Sequence, residues 1–133
     1  MAEKYKDLFT GRWRTIGAID PDERQMQISL IERLKWTCKR DEIVYYHTPN
    51  GGLRQNKEGA LLKAMGVLPG VSDLTFIMPG PQVLFLELKS RYGGVTEEQA
   101  LFARRVTANG CNAAVANSID DAVAVLKQYG ILP

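Results

Sequence analysis

Residues 70–90 read GVSDLTFIMPGPQVLFLELKS, and the fold turns on how this stretch is understood. Two runs rich in β-branched and large apolar residues flank Pro79-Gly80-Pro81, the pattern of a strand, a tight turn and a second strand. Asp73, Glu87 and Lys89 interrupt this apolar setting. A hairpin centred on Gly80 pairs residues whose numbers sum to 160, which sets Asp73 opposite Glu87 with Cβ atoms about 5 Å apart. A slip of one residue would undo that placement, so the register is an expectation. Glu87 and Lys89 stand at i and i+2 on one strand and share a face. Two carboxylates so close repel unless a cation sits between them, and an unpaired charge after Val83-Leu84-Phe85-Leu86 is costly. A divalent metal relieves both. Carboxylate oxygens suit Mg²⁺ or Mn²⁺ better than zinc, and a neighbouring lysine suits phosphodiester hydrolysis. The bland alternative is that charges at strand ends are ordinary and that E-x-K alone is a weak signal. The combination D-x13-E-x-K across a hairpin is more specific.

Working outward, 133 residues with 45% hydrophobic content suit one globular domain with a real core. We expect that domain over residues 22–133, with residues 1–21 as an arm of unassigned role. No apolar run approaches the ~18 residues of a membrane span and the N-terminal stretch lacks the apolar region of a signal peptide, so the expectation is a soluble, cytoplasmic protein without a membrane partner. Asp20-Pro21 opens a helix, with Met26, Ile28, Leu30, Ile31 and Leu34 as an apolar stripe toward Trp36. Glu42–Thr48 reads as a strand, RQNKEGALLKAM as a short helix stopped by Gly66, and Gly93-Gly94 as a mobile connection. Thr96 caps a helix through Ala108, CNAAVAN is a last strand, and a last helix runs from Ser118 to Tyr129, capped by Ser118 and Asp120. The sum is an α/β domain with a mixed β-sheet flanked by helices.

The net charge of +2 is small, but cations cluster locally, as at Arg33, Lys35, Lys39 and Arg40. Solvated helix faces account for any one group. The segment HTPNGGLRQNK is more suggestive, because His47, Asn50, Arg54 and Lys57 gather around flexible glycines, with Lys63 on the helix beyond. Such a loop can follow a phosphate backbone. Cys38 and Cys111 read as reduced thiols, and with His47 they lack the spacing of a zinc site.

With those residues in view, the chain resembles the virus-type replication-repair nucleases, the VRR-NUC branch of the PD-(D/E)XK superfamily. The resemblance runs from about Asp22 to Ala124. It is carried by ERQMQ in the first helix, HTPNGG, KAMGVLPGVSDL, FLELKS and GGVTEEQALFARRVTANGCNAAVA. It implies a restriction-endonuclease-like fold in which Asp73, Glu87 and Lys89 form the metal-binding and catalytic core. It also implies roles for Gln99 beside that core, for Glu23 as a further acidic ligand with Gln27 one turn on, and for the Leu88 carbonyl as a metal ligand. The superfamily's motif begins Pro-Asp, whereas this chain has Ser72-Asp73, which leaves the carboxylate in place.

The resulting expectation is a Mg²⁺-dependent DNA endonuclease, with Mn²⁺ as a substitute, in a bacterial or phage-infected cell. The resemblance favours branched DNA and a Holliday-junction resolvase. Alternatives are a flap- or nick-directed nuclease and a DNA-binding module of the same fold that does not cleave. Paired cuts across a nearly symmetric junction call for two sites, hence an expected C2 homodimer, to which the apolar residues Tyr5, Phe9, Trp13 and Ile16 of the arm offer surface.

Overall fold

Alternation of apolar side chains on either side of a Pro-Gly-Pro turn yields the central hairpin of the molecule. The structure is a computed structural model. It describes the backbone of residues 4–6, 13–15, 21–49 and 56–133, and the side chains of 23–49 and 59–133. In chain order the elements are β1 (Lys4–Lys6), β2 (Trp13–Thr15), α1 (Pro21–Thr37), β3 (Val44–His47), α2 (Asn56–Ala64), β4 (Leu74–Met78), β5 (Gln82–Leu88), α3 (Glu97–Ala108), β6 (Asn112–Ala116) and α4 (Ile119–Gln128). Strands β3-β4-β5-β6 form one sheet in that order. The first three are antiparallel, and β6 lies parallel to β5, from Leu84 beside Asn112 to Leu88 beside Ala116. A parallel neighbour needs a crossover, which α3 supplies. The expected mixed sheet is therefore present.

One face of the hairpin presents Leu74, Phe76, Met78, Leu84, Leu86 and Leu88, all buried in the core with Met26, Leu30 and Leu34 of α1 and Ala122, Val123 and Leu126 of α4. Each large side chain removed from water here contributes roughly 1.5–3 kcal/mol. The other face is covered in part by α3, where Phe102 meets Phe85 edge-on with centroids 5.0 Å apart.

Several local expectations change. Of the stripe proposed for α1, Met26, Leu30 and Leu34 are buried at a strict four-residue spacing, whereas Ile28 lies on the outer face and is exposed, as is Trp36. Ser118 alone caps α4, accepting from the Asp121 amide at 3.0 Å, while Asp120 is an exposed first-turn residue. The strand predicted over Glu42–Thr48 is confined to Val44–His47, after a turn at residues 41–42 where Arg40 Nε donates to Glu42 Oε1 at 3.0 Å. The arm left unassigned contains a two-stranded antiparallel ladder, Tyr5 opposite Arg14. Phe9 and Ile16 lie outside the described residues.

Candidate active site

The hairpin register is the one the sequence predicts. Leu74 pairs with Leu86 and Phe76 with Leu84, so one step beyond the last pair Asp73 comes beside Glu87. Asp73 is fastened there by its own groups. Its Oδ2 accepts from the Leu88 amide at 2.8 Å, and its carbonyl accepts from the Thr48 amide at 3.0 Å. The His47 ring completes the fastening through Nδ1, 2.7 Å from the same carbonyl. A carbonyl only accepts, so Nδ1 carries the proton.

Glu87 is 6% exposed, with Lys89 next to it at 8%. Its Oε1 accepts from Gln99 Nε2 at 3.0 Å and lies 3.7 Å from Lys89 Nζ, while Oε2 is buried with no hydrogen-bond partner. Burial first, and then the Asp73 carboxylate, push the Glu87 carboxyl up to about 9 against the opposing pull of Lys89. A protonated Glu87 becomes a donor toward Asp73; an ionised Glu87 has an oxygen with nothing to accept from. That orphaned oxygen, on a carboxyl near enough to Asp73 to be raised by it, fits a divalent cation that Asp73, Glu87 and the Leu88 carbonyl could hold. Among the described residues no three His, Cys, Asp or Glu side chains come together as a metal cluster. Two carboxylates and a main-chain carbonyl, taken as donors, suit a hard cation that retains water. Cys38 and Cys111 are both free thiols.

Gln99 lies at the third residue of α3, where the helix cap forms. Its backbone amide donates to Thr96 Oγ1 at 3.1 Å and its Oε1 accepts from the Thr96 amide at 2.9 Å. The resemblance placed Gln99 beside the core, and the cap explains how it gets there. The loop before Asp73 rests on the same turn. A Cβ on Gly70, whose φ is +87°, would stand 2.4 Å from the Glu98 carbonyl oxygen, so only glycine permits this approach.

After Lys89, whose amide donates to the Ala116 carbonyl at 2.8 Å, the chain turns through Ser90–Gly93. Glu23 Oε1 accepts from the Ser90 amide at 3.1 Å, and Asn117 Nδ2 donates to the Ser90 and Gly93 carbonyls at 3.1 and 3.3 Å. The connection expected to be mobile is therefore clamped from α1 and from the end of β6, and Gly94 is buried. Glu23, expected as a ligand, acts in this geometry as part of the clamp, while its charge still reaches Glu87. Asn117 was missed by sequence reading, since a lone Asn after a strand carries no periodic signal.

Of the residues expected to meet nucleic acid, His47 is exposed beside Asp73, and Lys63 is exposed in the last turn of α2. Asn50 and Arg54 lie outside the described residues, as does the side chain of Lys57.

No protein-family model matches the sequence, and no curated protein matches it. Solved structures do. One described as "VRR_NUC domain protein" superposes with a TM-score of 0.61 at 25% identity, over 80% of this chain and 86% of its own. Another, described as "VRR_NUC domain", has a TM-score of 0.57 at 18% identity, over 83% of this chain and 99% of its own. The mixed sheet, its flanking helices and a likeness that spans most of both chains support a VRR-NUC domain with a PD-(D/E)XK-like nuclease fold.

Proposed function

We propose that the protein is a Mg²⁺-dependent endonuclease that hydrolyses phosphodiester bonds in branched DNA, with Mn²⁺ able to replace Mg²⁺ and a Holliday junction as the preferred substrate. The observation that carries this reading is Glu87 Oε2, a buried oxygen without a partner beside the Asp73 carboxylate and the Lys89 ammonium. Asp73, Glu87 and the Leu88 carbonyl would hold the cation, which when bound supplies water activation and neutralises charge on the scissile phosphate.

The chain's own residues do the rest. The Leu88 amide and the His47 ring hold Asp73 from both its ends, side chain and carbonyl. Gln99 donates from Nε2 to Glu87 Oε1 and keeps that oxygen occupied. Lys89, with Nζ 3.7 Å from Glu87 Oε1, is placed to stabilise developing negative charge or to orient the attacking water. Lys63 and His47, both exposed, add attraction for the phosphate backbone.

The test is incubation of labelled duplex, nicked, flap and four-way-junction DNA with Mg²⁺, Mn²⁺ or chelator, for the wild type and Asp73→Asn. The expected result is metal-dependent cutting of the junction, reduced roughly 10²- to 10³-fold or more in the variant. Preference for the flap or nick would redirect the substrate, and binding without cutting would make the domain a DNA-binding module. Equal cutting by Asp73→Asn would sink the metal-site reading. A resolvase of this size would work as a C2 homodimer, which light scattering tests: a monomer that only nicks a cruciform plasmid would remove both dimer and resolvase.

A further inference from the structure

Two helices of this domain begin with the same chemistry but different surroundings. Ser118 caps α4 by accepting from the Asp121 amide at 3.0 Å, and no candidate site residue lies on α4. Thr96 caps α3 in a reciprocal box with Gln99, and Gln99 reaches the site. The box has a directional consequence. The Gln99 side-chain carbonyl is already occupied by the Thr96 N–H, so only the NH₂ end of that amide can face Glu87, and Nε2 does donate to Glu87 Oε1 at 3.0 Å. Lys89 approaches the same oxygen at 3.7 Å. Both neighbours thus draw on Oε1 and leave Oε2 as the oxygen without a partner. A Gln99 amide turned the other way would set its carbonyl against the carboxylate and repel it.

The same turn also bears on Asp73. Gly70 packs against the Glu98 carbonyl and the Gln99 amide, so the loop that delivers Asp73 is referenced to the turn that Thr96 closes. Fraying of that turn would loosen one carboxylate through Gln99 and the other through Gly70.

We propose that Thr96 is a positioning residue of the metal site: its cap sets the direction of the Gln99 amide and thereby selects the Glu87 oxygen offered to a divalent cation. Thr96 itself touches neither cation nor DNA. The proposal rests on the nuclease reading for its activity readout, while its binding readout stands apart from that reading.

Three variants separate positioning from plain helix stability: Thr96→Ala, Thr96→Ser and the matched control Ser118→Ala. The readouts are melting temperature in chelator, Mn²⁺ affinity by titration calorimetry without DNA, and kcat and KM on the junction. Both alanine variants should lower the melting temperature by a similar amount, about 3–6 °C, since each removes one cap. Thr96→Ala alone should weaken Mn²⁺ binding and lower kcat about ten-fold or more, with KM nearly unchanged. Thr96→Ser, which keeps the hydroxyl, should restore both. Wild-type Mn²⁺ affinity in folded Thr96→Ala, or an equal loss in Ser118→Ala, would reduce Thr96 to an ordinary cap and overturn the proposal, as would a wild type that binds no Mn²⁺. Should the wild type bind Mn²⁺ yet cut no DNA, the calorimetry still decides the role of Thr96 and only the nuclease reading falls.

Discussion

The two faces of the β4–β5 hairpin are built from alternate residues of one sequence and share one register, yet they meet opposite demands. On the inner face Leu74, Phe76, Leu84, Leu86 and Leu88 are buried against α1 and α4, and each of these side chains is apolar. On the outer face the same alternation brings Asp73, Glu87 and Lys89 to one end, with Glu87 and Lys89 nearly as deeply buried. Apolar burial stabilises the fold, whereas a buried carboxylate facing another carboxylate strains it. The inner face supplies the rigidity that lets the outer face hold charges where water cannot relax them. Substitutions on the two faces should therefore move stability and activity in different directions.

The largest effect is expected on the outer face. Glu87→Gln removes the charge that a cation would neutralise and should lower metal-dependent cutting by roughly 10²- to 10³-fold. In chelator near pH 8 it should not lower the melting temperature, because the neutral amide no longer resists burial. A destabilised variant that still cut DNA would invert the assignment of the two faces.

On the inner face Leu86→Ala should cost about 2–5 kcal/mol of stability through lost burial and a cavity, seen as a lower urea midpoint. Well below its melting temperature its kcat should stay within a few-fold of wild type. A drop in kcat as large as that of Glu87→Gln would show that the faces are not separable.

Lys89→Ala comes next, with an expected loss in kcat of about 10²-fold and little change in DNA affinity, since one cation among several adds modestly to phosphate attraction. Gel-shift titration in chelator beside single-turnover cutting distinguishes the two. Loss of affinity with normal turnover of bound DNA would make Lys89 a docking residue.

The contrast between the faces was legible in the sequence because its determinants are local. Pro79-Gly80-Pro81 fixes the centre of the hairpin, and alternation does the rest, so the pairs observed, Leu74 with Leu86 among them, follow from arithmetic on residue numbers. The start of α3 at Thr96 was equally readable, since a capping box spans only four residues. What escaped was polar contact over long separations. Glu23 meets the Ser90 amide across 67 positions and Asn117 meets the Ser90 carbonyl across 27, and neither leaves a period or a motif. Hence Gly93-Gly94 read as a free connection, although the fold clamps it. Ile28 was misplaced for a different reason: hydrophobicity alone put it in the stripe of α1, while the four-residue spacing of Met26, Leu30 and Leu34 leaves it outside.

The last prediction concerns pH and separates charge from packing on the same hairpin. Burial and the neighbouring Asp73 carboxylate push Glu87 up to about 9 from an ordinary 4.5. Folding of the metal-free protein therefore takes up a proton at any pH between these values, because the unfolded chain has lost it and the folded chain keeps it. The contribution of Glu87 to stability is accordingly full below about pH 4.5, declines as pH rises through the window, and levels off above about 9. In chelator the melting temperature should fall from pH 5 to pH 9, and Glu87→Gln, which has no proton to lose, should remove this part of the slope. Leu86→Ala should lower the curve at every pH and leave the slope in place. Mn²⁺ competes for the same carboxylate, so its affinity should rise across the window in which metal-free stability falls. A slope that persists in Glu87→Gln would mean that some other group governs the pH response, and that the charge held on the outer face is better accommodated than its surroundings indicate.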